Sequence, residues 1–183
     1  MKARILTAAL LAALVVTAAS FADQPTGQDR ANAARACSAL RTSMGVDLFR
    51  QTYGTAASNR MNAFGRCVSQ WARTEHQNQI NARSACQAEQ NDANFAASHD
   101  GKTFAQYYGT GPKGANAFGR CVSSKARAAR VEARQNTLNA ARQCRSERNS
   151  MGGPAFRAKY GRNANDRNAF GKCVATLAKA QNH

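Results

Sequence analysis

The chain has 183 residues, six cysteines and a formal net charge of +16, from 26 basic and 10 acidic side chains. Aromatic residues make up 7% of the chain, too few for one large globular core, and charged residues make up 20%, too few for a polyelectrolyte tail. Alanine is abundant and proline occurs three times. This composition predicts an all-α protein, because alanine loses no side-chain entropy in a helix.

Residues 1–22 have the three parts of a secretory signal peptide. Lys2 and Arg4 form a basic start, an uncharged and mostly apolar run follows, and Ser20 and Ala22 are the small residues expected before a cleavage site. The alternative is an uncleaved membrane anchor, but the run is shorter than the roughly 20 residues that a spanning helix needs. We predict a secreted protein (extracellular, cell wall or periplasm) that has no integral membrane segment after cleavage and carries a net charge of +14.

Three segments then recur in the same order in three copies. The first is Asn-Ala-x-x-x-Cys, at residues 32–37, 81–86 and 139–144. The second is Phe-x-x-x-Tyr-Gly, at residues 49–54, 104–109 and 156–161. The third is Asn-Ala-Phe-Gly-[Arg/Lys]-Cys-Val, at residues 62–68, 116–122 and 168–174. This repetition predicts three tandem units, which we assign to residues 23–73, 74–130 and 131–183.

Six cysteines behind a signal peptide indicate an oxidising compartment and disulfide bonds. Two cysteines in each copy favour pairing within the unit: Cys37 with Cys67, Cys86 with Cys121, and Cys144 with Cys173. The alternative, a metal site, would need cysteine and histidine clustered at short spacing. The histidines are remote from the cysteine pairs and no CxxCH motif occurs, so we expect no metal, haem or other cofactor.

An alanine stands four residues before every cysteine: Ala33, Ala63, Ala82, Ala117, Ala140 and Ala169. On a helix, residues four apart share one face. Disulfide geometry holds two Cα atoms about 4.4–6.8 Å apart, whereas helix axes usually lie about 8–10 Å apart. Alanine beside each cysteine permits the close approach that such a bond between two helices requires.

Each unit is therefore predicted to be an antiparallel helical hairpin joined by one disulfide. A short helix within the unit ends at a glycine suited to a left-handed C-cap: Gly54, Gly109 or Gly161. The second long helix starts at an asparagine expected to cap it: Asn62, Asn116 or Asn168. In the first turn of this helix, the tyrosine ring of the same unit is expected to pack on a glycine: Gly65, Gly119 or Gly171. In unit 1 the expected core is the disulfide with Phe49, Tyr53, Phe64 and Val68.

The units are joined by long continuous helices in this interpretation. Residues 62–90 and 116–149 contain no proline, and glycine occurs there only in the opening turn. The second helix of one unit is thus predicted to continue as the first helix of the next, over roughly 40 to 50 Å at 1.5 Å per residue. The pattern fits both an elongated chain of hairpins and a bundle.

Seven arginines form a stripe about 120° wide on the second long helix, opposite its alanines. They are Arg120, Arg127, Arg130, Arg134, Arg142, Arg145 and Arg148. Two interpretations stay open, a solvated face that serves solubility and a binding surface for polyanions. The mature chain has 18 Arg and 6 Lys, and arginine is the better bidentate partner for phosphate and carboxylate. Candidate partners are cell-wall polymer, acidic polysaccharide, nucleic acid and anionic lipid head groups.

The remaining residues give little sign of catalysis. The acids are dispersed, and Glu75–His76 and His99–Asp100 are interpreted as ordinary surface neighbours. Trp71 has no counterpart in the other copies, and packing is the preferred explanation over contact with another protein. We therefore predict a protein that is not an enzyme.

The repeated unit, with Phe-x-x-x-Tyr-Gly between its cysteines and Asn-Ala-Phe-Gly-[Arg/Lys]-Cys-Val at its end, resembles repeats of uncharacterised secreted bacterial proteins that have no assigned activity. The resemblance covers residues 32 to about 180. It implies an exported bacterial protein and carries over no functional residue. The function expected from the sequence is binding of an anionic surface or polymer through Arg-rich helix faces. The alternative is a structural or protein–protein interaction module whose charge serves solubility.

Overall fold

A computed structural model describes residues 24–55, 58–111, 113–161 and 166–181; the predicted signal peptide at residues 1–22 lies outside them. Within these ranges the protein is all-helical. Its helices are α1 (Gly27–Met44), α2 (Val46–Tyr53), α3 (Ala63–Gln90), α4 (Phe104–Tyr108), α5 (Ala117–Met151), α6 (Gly153–Tyr160) and α7 (Ala169–Ala180), with a 3-10 turn at Ala96–Ser98 before α4. None of the helices in the described part of the chain is both long and apolar enough to cross a membrane.

Each unit is a hairpin joined by the disulfide that the sequence predicts. The bonds are Cys37–Cys67, Cys86–Cys121 and Cys144–Cys173, and each holds its two Cα atoms 6.0 Å apart. All six cysteines and all six preceding alanines are buried. The small alanine side chains therefore lie where the paired helices approach most closely.

The long helices are continuous, and the chain folds back on itself. α3 has 28 residues and α5 has 35, about 42 and 52 Å at 1.5 Å per residue. α3 packs between α1 and α5, α5 packs on α7, and α1 also contacts α5. Units 1 and 3 consequently lie side by side at one end of the bundle. The sequence left elongated and bundled arrangements open, and the structure is the bundle.

The cores of units 1 and 3 share side chains across their contact. Leu48 of α2 belongs to the core of unit 3, while Ala133 and Leu138 of α5 pack against the core of unit 1. The core of unit 2 is a separate cluster around Phe95 and Phe104. The prediction that Phe64 belongs to the core of unit 1 is wrong, because this residue is 37% exposed.

The glycines that end the short helices are not left-handed C-caps, so that prediction is wrong. Their φ angles are −79° at Gly54, −76° at Gly109 and −65° at Gly161. They are needed for close approach instead: a Cβ on Gly54 would lie 2.5 Å from the Cβ of Arg60. Positive φ angles occur instead at glycines such as Gly45 and Gly152, with φ of 79° and 82°, where the chain turns from a long helix into a short one.

The asparagines before the second helices stand at the N-cap position without capping through their side chains. The side-chain Oδ1 of Asn62 accepts from the Thr55 backbone N–H at 3.0 Å, and its Nδ2 donates to the Thr55 hydroxyl at 2.9 Å. Asn116 makes the same two bonds to Thr110, at 2.9 and 2.7 Å. These side chains therefore fasten the loop that follows the short helix.

The glycine in the first turn of the second helix does not meet a tyrosine ring. At Gly65 and Gly119 an added Cβ would meet no atom within 4 Å beyond its own helix neighbourhood. At Gly171 the same atom would lie 2.6 Å from the carbonyl oxygen of Thr52, at the end of α2. The expected tyrosine contact is thus wrong, and the third glycine permits the contact between units 1 and 3.

These three positions give a prediction with internal controls. Gly65→Ala and Gly119→Ala should each raise the free energy of unfolding by about 0.5–1 kcal/mol, since alanine is the better helix former and the added methyl group has room. Gly171→Ala should lower it by about 1–3 kcal/mol, because the methyl group collides with the backbone of α2. Urea unfolding of the oxidised variants measures all three values. Equal effects at the three positions would contradict the close contact at Gly171.

Candidate anion-binding groove

The predicted arginine stripe of α5 is divided by the helices that pack along it. Arg120, Arg127, Arg142 and Arg145 are exposed, whereas Arg130, Arg134 and Arg148 are partly buried. Near the C-terminus of α5, the Arg148 guanidinium lies 5.2 Å from the centre of the Phe170 ring and donates to the side chain of Gln51. Arg120 Nε donates to the Tyr108 carbonyl at 2.9 Å. The seven arginines therefore do not form one open face.

Three arginines from the middle of the stripe line a groove between α1 and α5. The groove has a volume of about 240 Å³, and its walls carry Arg127, Arg130 and Arg134 from α5 together with Arg35 and Asn32 from α1. Ala36 and Val131 complete the lining. Four guanidinium groups from two helices thus converge on one site, which we call the α1–α5 groove. Arg35 could not be predicted as a groove residue from the sequence, since only the fold-back brings α1 onto α5.

Arg35 is held in place by a neighbouring amide. One terminal nitrogen of its guanidinium donates to Oδ1 of Asn32, and this oxygen also accepts from Gln28 Nε2 at 3.1 Å. Asn32 is 7% exposed. The same pattern recurs without an arginine at Gln77–Asn81 and Gln135–Asn139, at 2.8 and 3.0 Å. The repeated asparagine therefore bonds to a glutamine one turn earlier, and in unit 1 it also orients a groove arginine.

Arg130 is held from behind by a buried carboxylate. Its Nε lies 2.7 and 2.8 Å from the two oxygens of Glu75, and a terminal nitrogen lies 2.7 Å from one of them. The Glu75 side chain is fully buried, and that of Arg130 is 27% exposed. The interpretation of Glu75 as a surface residue is therefore wrong. Helical phase was the available signal, since Glu75 follows the buried Cys67 and Trp71 at intervals of four.

A second buried carboxylate fixes the start of α1. Asp29 accepts from the Thr26 backbone N–H at 2.8 Å and lies 3.2 Å from His76 Nδ1, so His76 also takes part in a contact between helices. Burial opposes ionisation of Asp29, but its hydrogen bonds with Thr26 and its interaction with His76 outweigh burial and lower the pKa of this carboxyl. Asp29 is therefore held ionised inside the hairpin.

Two further carboxylates lie against cations of their own unit. Glu89 lies 2.7 Å from Lys125 Nζ and accepts from the Tyr108 hydroxyl. Glu147 lies 2.6 Å from Lys159 Nζ, and this bond lowers the pKa of its carboxyl. Four acids of the described chain are thus committed to internal or local partners. The lining of the α1–α5 groove contains no carboxylate.

The other residues singled out in the sequence also have structural positions. Trp71 is 5% exposed and its Nε1 donates to the Tyr53 hydroxyl at 3.1 Å, in agreement with packing. His99 stacks on the buried ring of Phe95, with 3.7 Å between ring centres. Across the described residues, no group of three His, Cys, Asp or Glu side chains is arranged to hold a metal ion.

Comparison with known proteins gives no relative from which a function could be transferred. No family model, curated protein sequence or solved structure matches the chain. The chemistry of the described side chains is therefore the basis for assigning a function.

The ion pair between Glu75 and Arg130 should be important for stability. Glu75→Gln should lower the free energy of unfolding by about 3 kcal/mol, because it leaves the partly buried guanidinium without its charge partner. Glu132→Gln, at an exposed position on α5, is the control and should change the value by less than about 0.5 kcal/mol. Urea unfolding at neutral pH compares the two variants. Equal stability of the variants would show that the buried pair contributes nothing.

The lowered pKa of Asp29 predicts that the fold loses stability in acid. Because its folded-state pKa is lowered from 3.8, ionised Asp29 stabilises the fold above that pH, and this contribution is lost as the pH falls through the folded value. Asp29→Asn should cost about 1 kcal/mol at pH values above about 5, through loss of the capping carboxylate. The deficit should shrink below pH 3.8. Unfolding curves recorded across this range test the change, and a deficit independent of pH would contradict it.

Proposed function

We propose that this is a secreted, non-enzymatic helical repeat protein that binds a polyanion through the α1–α5 groove. The observation that carries the proposal is the convergence of Arg35, Arg127, Arg130 and Arg134 on one groove without a lining carboxylate. A planar guanidinium matches phosphate, sulfate or carboxylate oxygens by paired hydrogen bonds. Several such groups in one concave site favour a ligand that carries repeated negative charge.

The four arginines of the groove have different partners, and this difference supports binding. Arg130 is neutralised by Glu75 and orients the groove wall, while Asn32 positions Arg35. Arg127 and Arg134 form no ion pair with a described carboxylate. The groove therefore presents about three uncompensated positive charges on a rigid pair of helices, which lowers the cost of ordering side chains on binding.

The chemistry of the chain favours an extracellular polymer as the ligand. The N-terminal signal pattern and three disulfides fit an oxidising compartment. Anionic cell-wall polymers and acidic polysaccharides occur there, whereas intracellular nucleic acid does not. A net charge of +14 on the mature chain would add long-range attraction to such polymers.

A second candidate function, binding to another protein, is favoured by an exposed apolar patch. Val46, Met61 and Phe64 are 40%, 69% and 37% exposed and line one depression beside the buried ring of Phe49. Partly exposed apolar side chains around a depression are common at protein interfaces. Arg41, Arg50 and Arg60 also line this depression, so substitution of its apolar residues Met61 and Phe64 separates binding there from binding in the arginine groove.

The polyanion proposal is tested by two sets of substitutions on the same scaffold. The first variant changes three groove arginines, Arg35, Arg127 and Arg134, to Gln. The second changes three stripe arginines that do not line the groove, Arg120, Arg142 and Arg145, to Gln, so both variants lose the same charge. Binding of an acidic polysaccharide, a cell-wall teichoic acid and a DNA duplex is measured at about 50 and 200 mM salt, where counterion release weakens binding to a polyanion steeply.

The groove variant should lose at least tenfold in affinity for one of the three polymers and reduce the salt slope by about 3, one for each lost contact. The control variant should lose much less. Equal losses in the two variants would show that total charge, and not the groove, attracts the polymer. Absence of salt-sensitive binding to any of the polymers would overturn the proposal.

A further inference from the structure

A second site lies where units 1 and 3 meet. A cleft of about 370 Å³ opens between the end of α2, the first half of α3, the second half of α5, and α7. This volume falls within the range of small-molecule sites, roughly 300–1,000 Å³. The cleft exists because the chain folds back, and it shares no residue with the α1–α5 groove.

The cleft has an apolar wall formed by small side chains around one indole. Trp71 lines it together with Ala133 of α5 and with Val174 and Ala178 of α7. The indole is fixed, because its N–H donates to the Tyr53 hydroxyl at 3.1 Å inside the core. Burial raises the pKa of Tyr53 to about 12, so this partner stays neutral. The wall is therefore preformed and suited to an apolar group.

Three cations and no carboxylate line the same cleft. They are Arg66 of α3 and Lys172 and Lys179 of α7. Arg66 and Lys172 occupy the same position of the repeated segment, so the fold-back brings equivalent residues of two units to one site. Arg66 is oriented by the bond from its Nε to the Tyr53 carbonyl at 3.2 Å, which leaves its two terminal nitrogens as donors.

Lys172 differs from its counterparts in a way that suits a ligand. In units 1 and 2 the arginine at this position donates through Nε to the tyrosine carbonyl at the end of the short helix. Lysine has no Nε–H donor of this geometry. Neither Lys172 nor Lys179 forms an ion pair with a carboxylate of the described chain. Their charges are available to an anion in the cleft.

We propose that this cleft binds a small amphiphilic anion, with a carboxylate or phosphate head among Arg66, Lys172 and Lys179 and a compact apolar body against Trp71. Threonine and glutamine side chains, Thr52, Gln70, Thr74 and Thr137, complete the lining and can bond to the head group or to water around it. An inorganic anion would leave the apolar wall unused, and a cationic amphiphile would meet three like charges. Ligand binding here does not depend on the polyanion function.

The protein carries its own reporter, since Trp71 is its single tryptophan. Octanoate and octyl phosphate, added to the oxidised mature protein, should each change Trp71 fluorescence with a saturating dependence on concentration. Comparison of the two affinities shows whether a carboxylate or a phosphate head is preferred. Inorganic phosphate should bind at least tenfold more weakly, and octyltrimethylammonium should not bind. Calorimetry follows the same titrations independently of the indole.

Two double variants locate the site. Lys172→Gln with Lys179→Gln should lower the affinity for octanoate and for octyl phosphate at least tenfold. Lys102→Gln with Lys113→Gln, which removes equal charge from exposed positions in unit 2, should leave both affinities within about twofold. Both pairs lie on the surface, so circular dichroism should show unchanged helix content. Ala178→Leu retains the charges but fills the apolar part of the cleft. It should weaken the binding of both amphiphiles and leave the binding of inorganic phosphate unchanged.

The outcomes separate this proposal from the polyanion proposal. The variant of Arg35, Arg127 and Arg134 should bind octanoate normally, and the Lys172 and Lys179 variant should bind the polymer normally. Equal weakening by the two lysine pairs would show general attraction to a basic protein and overturn the cleft as a site. Failure of both amphiphiles to bind by fluorescence and by calorimetry would overturn the proposal directly, whatever the polymers do.

Discussion

The close approach of paired helices at the disulfides is the constraint on which the rest of the structure depends. A Cα separation of 6.0 Å at each bond is possible because only alanine stands one turn before each cysteine, where a larger side chain would hold the helices apart. The hairpins are therefore fixed with few large side chains. The same closeness leaves little apolar surface to bury, which explains how a chain with 7% aromatic residues forms three small cores.

A second constraint, the contact of unit 1 with unit 3, turns three hairpins into a bundle. At Gly171 the absence of a side chain lets the end of α2 reach α7, and Leu48 then enters the core of unit 3. This contact produces both candidate sites, because it sets α1 beside α5 on one side and α2 beside α7 on the other. The equivalent glycines of units 1 and 2 face no such neighbour, so one repeated residue has different roles in different copies.

The features that were predictable from the sequence are those set by local periodicity. The order of the repeats predicted the three hairpins, and the two cysteines in each repeat predicted the disulfides. The absence of proline from the long helical segments predicted the continuous helices. The fold-back depends on contacts between residues far apart in sequence, so neither Arg35 nor the cleft was foreseen. Glycine and asparagine were misread for another reason. Gly54 is required because Arg60 packs against its backbone, and Asn62 is required because it bonds to the loop at Thr55. Both contacts form only in the folded chain.

The placement of charge links the fold to both proposals. Glu75 and Asp29 are buried between helices, where Glu75 pairs with Arg130 of α5 and Asp29 contacts His76 of α3, while most arginines remain at the surface. These carboxylates thus form contacts that hold the bundle together, and the excess positive charge lies on the surface. In an Ala-rich fold this excess would serve solubility wherever it is spread evenly. It becomes a basis for recognition where the fold-back gathers it into concave sites without carboxylates, as it does between α1 and α5 and again beside Trp71.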